Sequence, residues 1–498
     1  MKKTTIKAVC AILVLLMVVP MLFACKDNGG DQGTTQNSQA ESSGTETTEE
    51  KLEVPDNLKF DGEEFNILTA GNVAYDDFNY TSEDMTTLGA AQYKRKVSVE
   101  SKFGITITAE KKANGGSYGN GPGYTSIKTG VDSNDVIYHL GIIGGYDVAN
   151  LAMNSYLYDL NSVDYIDTSK SWWDQNANKD LSINGMLFFT NGNLTGAYSE
   201  STYVIYMNKK LAAQKSVEDV YQIVKDGKWT IDKLAEYSKL VSEDLDGNDT
   251  MGPADRFGTY VWYDSILGMI AASGSKSVTV QSDGTMELTL NNDNTLNMFN
   301  KYLDMTSDQE YALIYQKYSG QMSVLTSWQN DQALFWVTSN INSPLIRDME
   351  SDFGILPYPK LSEDQTRYYS TIAPYNSQFI CVPLITDDAT IEYIGAVTET
   401  LAYEGQKTVW PALYEQTLKG AFARDEETYD MLDIIYSNYG YDVGYYYQIG
   451  EYGRQMMICL RDNNKNFNSM YETYRSSAEA KIDKINADFA QVLDWWDK

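Results

Sequence analysis

Apolar residues fall into three regimes along the chain. An unbroken apolar run covers Ala8 to Ala24, residues 26–50 are almost wholly polar, and from Leu58 onward short apolar runs alternate with longer segments of helical spacing. The last regime predicts elements. Phe65-Asn66-Ile67-Leu68-Thr69 reads as a strand closed by Ala-Gly-Asn, and Leu88, Ala91, Val97 and Val99 mark a helix over 88–102 that stops before Gly104. Ile105–Thr108 alternates as a strand, Gly115 to Gly123 is a glycine- and tyrosine-bearing loop, and Asp135–Leu140 is a strand leading into the loop Gly144–Asp147. A helix follows from Ala149 to Leu160. Met186–Phe189 and Tyr203–Met207 are strand-like, and Thr230 is a plausible N-cap for the helix carrying Leu234, Tyr237, Leu240 and Val241. Residues 264–273 and 388–403 read as helices, and Ala333–Val337 and Phe353–Leu356 as strands. A final helix puts Ile482, Ile485, Phe489, Val492 and Trp496 on one face. The order is that of a helix-rich α/β protein.

The first regime is an export signal. Lys2, Lys3 and Lys7 precede the apolar run, which ends in Leu22-Phe23-Ala24-Cys25. A small residue followed at once by cysteine resembles the bacterial lipobox, which implies cleavage after residue 24 and acylation of Cys25. An uncleaved anchor is the alternative, although the run is short for about 30 Å of hydrocarbon. Residues 25–57 then form a lipidated cysteine and a disordered acidic tether. The rest of the chain is expected on the extracellular face of the cell membrane, held by lipid.

Composition narrows the function. The chain has 498 residues, with 39 basic and 69 acidic side chains and a net charge of −30. Removal of the signal takes three lysines and no acids, so the charge falls to −33. Such a surface excludes nucleic acid as a partner, because phosphate binding needs dense cationic surface. The single histidine, His139, excludes histidine-rich metal centres, and its default role is a satisfied residue in a strand. Cys10 leaves with the signal, and Cys381 and Cys459 lie in apolar runs as buried free thiols, although a disulfide would be permitted outside the cytoplasm. The chain is long enough for two or three domains at roughly 100–200 residues each.

Several ordered segments resemble the extracellular solute-binding lipoproteins of ABC transporters, in the family 1, sugar-binding class that includes maltose-binding protein. They are Phe65–Ala70, Tyr203–Lys209, the helix after Trp229-Thr230, Arg256-Phe257-Gly258, Ala333-Leu334-Phe335 and Phe353–Lys360. Residues 401–436 look like the large lipoprotein subgroup of Gram-positive bacteria. The resemblance implies two α/β lobes with a ligand cleft between them, joined by crossings at Tyr203–Asn208 and Ala373–Val382. The first lobe would be 58–202 plus about 376–425, and the second 203–375 plus about 426–498. It also implies a monomeric, non-enzymatic receptor that needs no cofactor, captures a carbohydrate and delivers it to permease subunits.

A sugar offers hydroxyls to polar groups and C–H faces to aromatic rings, so candidate ligand residues are aromatic–polar clusters at strand ends. These are Trp262, Tyr263 and Asp264 after Phe257–Val261, Tyr146 and Asp147, Tyr375 and Asn376, Asn72 and Asp76, Trp336 and Asn340, and the exposed-looking pair Trp172 and Trp173. Packing is the alternative role for each tryptophan. A separate loop, from Asp244 to Asp255, spaces Asp244, Asp246, Asn248 and Asp255 at positions 1, 3, 5 and 12, with the Thr250 carbonyl at 7. It resembles EF-hand and dockerin calcium loops and is expected to hold a structural calcium; an acidic surface turn is the alternative. A secreted carbohydrate-active hydrolase and a surface adhesin remain alternative functions, the former because paired carboxylates suffice for glycoside hydrolysis.

Overall fold

The computed structural model describes residues 50–496 apart from 74, 75, 81–85, 115, 136, 308, 309, 386 and 415–424, with backbone only at 197, 198 and 492–496. The signal, Cys25 and the tether to residue 49 lie outside the described residues, as do the side chains of Val492 and Trp496. No described helix is long and apolar enough to cross a membrane.

Two sheets organise the chain. The first has the strand order Gln378–Cys381, Leu140–Gly144, Glu64–Gly71, Thr106–Ala113. Its last three strands are parallel, and Gln378–Cys381 joins antiparallel at the edge. The second has the order Phe353–Leu356, Tyr203–Asn208, Ala333–Ser339, Phe257–Val261, Ala312–Ile314. There Ala333–Ser339, Phe257–Val261 and Ala312–Ile314 run parallel, and Tyr203–Asn208 lies antiparallel to Ala333–Ser339. The inner strands LGIIG, YVIYMN, FGTYV and ALFWVTS are buried at every position. That is the expected burial for strands covered by helices on both faces, and it explains their continuous apolar character.

Helices cover these sheets as the helical spacing predicts. Thr230 accepts a hydrogen bond from the Lys233 N–H at 3.4 Å and caps Ile231–Val241. That helix packs so closely on Phe257–Val261 that a Cβ on Gly258 would lie 2.0 Å from the Ser238 carbonyl oxygen. Asp388–Lys407 packs on Thr87–Phe103 beside the first sheet, and the last helix, Phe467–Trp496, buries Ile482, Ile485 and Phe489.

The structure corrects four expectations. The strand expected at Asp135–Leu140 is Leu140–Gly144, because only that run can sit between neighbours with both faces buried. Tyr146 and Asp147 are consequently not in a loop but in the first turn of the helix Gly145–Met153. Met186–Phe189 is no strand; the flanking residues form only isolated bridges, Ile183 with Met186 and Thr190 with Ile380. The chain passes between the sheets just before the expected crossings. Ser201 and Thr202 lie against Ile372 and Ala373, with Thr202 bridged to Ile372 and Ala373 N–H donating to Ser201 O at 2.8 Å. A third passage runs beside them, where Ser370–Thr371 pairs with Tyr439–Gly440.

Candidate functional site

Loops at the carboxyl ends of parallel strands are where open α/β sheets hold ligands. In the second sheet these ends deliver Trp262 and Asp264 after Val261, and Tyr315 after Ile314. In the first they deliver Asn72 after Gly71, the segment containing Tyr118 after Ala113, and Tyr146 after Gly144.

Asp264 is the buried carboxyl group among these residues. Its side chain is buried, its Oδ1 has no hydrogen-bond partner, and burial pushes its carboxyl up to about 7. Burial also raises the phenols of Tyr118, Tyr146 and Tyr375, beside the first sheet, and of Tyr203, Tyr315 and Tyr358, in or beside the second. The charge of Asp264 raises all six further, so six tyrosines from both sides feel one carboxyl group. Ring centroids are 5.2 Å apart for Tyr118–Tyr146, 5.9 Å for Tyr118–Tyr375, 5.4 Å for Tyr203–Tyr358 and 6.1 Å for Tyr203–Trp262. The Tyr203 hydroxyl donates to the Asp264 backbone carbonyl at 3.1 Å, which holds the turn in place. Two further buried polar atoms here lack a well-formed partner, the Trp262 indole N–H and the Tyr445 hydroxyl. Buried polar atoms are usually satisfied, so such atoms between aromatic faces mark a place where a polar ligand could complete them.

Of the expected ligand residues, the structure brings together Trp262, Asp264, Tyr146 and Tyr375. Asn72 stands beside them in a bracing role; its Nδ2 donates to Tyr375 O at 3.1 Å and its Oδ1 accepts from Gly116 N–H at 3.1 Å. Asp147 is buried behind the site and accepts from Gly121 N–H, Tyr124 N–H and Asn114 Nδ2, which caps the helix Pro122–Ser133. Asn376 is also buried, donating to Ser339 Oγ at 3.1 Å. Tyr263 is half-buried, and its backbone N–H donates to Gln316 Oε1 at 2.5 Å. Asp76 is exposed and accepts from Asn79 Nδ2 at 2.6 Å.

Two pairs have other roles. Trp172 and Trp173 are not exposed rings: they are 1% and 2% accessible, and their indole N–H groups donate to the two oxygens of Glu399 at 2.8 and 2.9 Å. Trp336 packs in the second sheet's core between Tyr206 and Trp328, and Asn340 is buried, donating to the Tyr436 hydroxyl at 3.0 Å. Packing rather than solvent decides both cases.

Sequence reasoning missed Tyr118, Tyr203, Tyr315, Tyr358 and Tyr445. Tyr315 had a readable signal, since it follows the apolar run Ala312–Ile314, and Tyr118 lies in the glycine- and tyrosine-bearing loop. Tyr203 and Tyr358 stand in stretches that read only as strand and turn.

A separate pocket of about 290 Å³ contains none of these residues. It is lined by Lys179, Asp180, Lys276, Arg367 and Asn438 among others, and its Lys276 and Asp180 pair with each other at 2.6 Å. In the acidic loop, carboxylate oxygens of Asp244, Asp246 and Asp255 lie within 4.8 Å of one another. Asp255 accepts backbone N–H bonds from Leu245, Asp246 and Gly252, and Asp244 accepts from Gly247 and Asp249. Asn248 Oδ1 accepts from Thr250 N–H, so the loop partly satisfies itself. His139 accepts from Asn66 N–H at 2.9 Å and stacks on Phe65, and burial lowers its pKa. Cys381 and Cys459 are both buried and unbridged.

No protein-family model and no curated protein sequence matches the chain. Solved structures do match. The ABC substrate-binding protein of Listeria monocytogenes, solved with cycloalternan, superposes over 86% of this chain and 100% of its own, with 14% identity and a TM-score of 0.52. The galacto-N-biose/lacto-N-biose I-binding protein of a Bifidobacterium longum ABC transporter covers 84% and 97%, at 12% identity and a TM-score of 0.56. UgpB of Mycobacterium tuberculosis, solved with glycerophosphocholine, covers 86% and 98%, at 14% identity and a TM-score of 0.54. The fold is that of the ABC substrate-binding proteins. The two sheets are therefore those of a two-lobed α/β architecture, and Asp264 and the tyrosines follow strand ends in both of them.

Proposed function

We propose that this chain is the substrate receptor of an ABC importer and captures a carbohydrate between its two lobes. One observation carries the reading. Asp264 Oδ1 is buried and unsatisfied beside the aromatic rings of Trp262 and Tyr203. Sugar rings present hydroxyls to groups of the first kind and C–H faces to the second. The fold supports the same reading, since neighbours of this architecture are named for cycloalternan and for galacto-N-biose and lacto-N-biose.

The remaining parts of the proposal follow from it. The lobes divide at 58–202 plus about 376–425 against 203–375 plus about 426–498, and they close as rigid bodies about the three passages near Thr202, Ile372 and Gly440. An acylated Cys25 holds the receptor at the extracellular face beside its permease, and the ligand leaves chemically unchanged. The Asp244–Asp255 loop takes a structural calcium.

Ligand that binds only the native state must raise stability. Thermal-shift measurement over mono- and oligosaccharides should give at least one saturable increase in Tm, with the sugar recovered intact. A flat response across the panel removes the carbohydrate reading, and release of new reducing ends removes the receptor reading.

A further inference from the structure

The carbohydrate reading, on which the following rests, does not by itself say what class of sugar the cleft takes. Asp264 does. Among the described residues seven aspartates are buried, and six have hydrogen bonds to both carboxylate oxygens. Asp147 receives two backbone N–H groups and the Asn114 amide. Asp174 receives Asn176 and Ala177 N–H groups and the Tyr441 hydroxyl. Asp442 receives Ser277 N–H and Oγ and Gly444 N–H. Asp77, Asp159 and Asp255 are likewise occupied on both oxygens.

Asp264 is the exception. No side chain donates to it, its Oδ1 is unpartnered, and no lysine or arginine charge reaches its carboxyl. A carboxylate in such a place is costly to ionise unless a cation comes to it. The surrounding groups are those a cation favours, because the faces of tyrosine and tryptophan rings carry negative potential. Tyr203, whose hydroxyl donates to the Asp264 carbonyl, pairs with Trp262 at 6.1 Å, and Tyr118 forms a second group of rings with Tyr146 and Tyr375. A neutral hydroxyl could complete Oδ1, as neutral donors do at Asp147 and Asp159, but an ammonium would match the charge as well and make the stronger, charge-assisted bond.

We propose that the cleft selects a sugar bearing a protonated amine, whose ammonium pairs with Asp264 between the tyrosine and tryptophan faces. The probes are glucosamine and its β-1,4-linked oligomers, their N-acetylated counterparts, and glucose oligomers of equal length, titrated calorimetrically into the whole protein at pH 7. The amine series should bind at least tenfold more tightly than either neutral series. In Asp264→Asn, which keeps the shape and removes the charge, that preference should fall to twofold or less. The comparison on the unaltered protein stands even if the variant fails to fold. If the neutral series binds as well as the amines, the charge proposal is overturned and the carbohydrate reading stands. If neither series nor any sugar binds, both are overturned. If the variant folds and keeps the amine preference, Asp264 is not the selecting group.

Discussion

Glu399 holds two tryptophans by one carboxyl group, and what it does can be separated from what the cleft does. Its oxygens accept from the Trp172 and Trp173 indoles, and all three side chains are buried. Glu399→Ala would leave both N–H groups buried without an acceptor and open a cavity, which should cost about 3 kcal/mol in urea unfolding. A loss below about 1 kcal/mol would mean the indoles find other acceptors. The pH dependence has a definite sign. Burial raises this carboxyl to about 7 from an ordinary 4.5, so the folded state holds its proton more tightly than the unfolded state. Its contribution is fully present below about pH 4.5 and is lost as pH rises to about 7. Glu399→Gln should therefore flatten the decline of stability over that range, read from Tm against pH; an unchanged slope would assign the decline to other groups. The sequence concealed this role, because Ser171 and Asp174 beside the tryptophans suggest exposure while their acceptor stands 226 residues away. Trp262 and Asp264 stand out in the sequence for the opposite reason: their signal, an apolar run ending in aromatic and polar residues, is local.

At the scale of elements, continuous apolar runs and helix caps were legible and exact registers were not. Phe257–Val261 is a strand as its run predicts, the run Ala333–Val337 forms the longer strand Ala333–Ser339, and Thr230 is the cap that its position implies. The apolar residues of Asp135–Leu140 suggest a strand there, whereas pairing of Ile67 with Leu140 fixes the true start. The adjacent glycines suggest a loop at Tyr146 and Asp147, yet Gly145 opens a helix where a Cβ would meet Ser377 Oγ at 2.6 Å. The calcium expectation belongs to this scale too. Three carboxylates converge in the loop, while backbone N–H groups already occupy several of their oxygens. Adding excess calcium to chelated protein should raise Tm by a few degrees, and Asp246→Asn should reduce that gain. An unchanged Tm would leave the loop as a self-satisfied turn.

At the scale of the molecule, the proposed closure has a direct observable. Small-angle scattering should show a smaller radius of gyration with saturating ligand than without it, and identical profiles would argue against hinge motion. The order of strands in the first sheet has another consequence, which concerns how the protein comes to be folded at all. Leu140–Gly144 keeps one edge unpaired until Gln378–Cys381 arrives from more than 230 residues downstream, since Gly141 pairs with Cys381 and Gly144 with Gln378. The N-terminal sheet is thus completed by nearly the last strand to be synthesised. Until then it presents an open backbone edge, the kind of surface that invites intermolecular pairing. Pairings so distant in sequence also slow folding. A chain truncated before residue 378 is therefore not a smaller folded protein but an unfinished sheet.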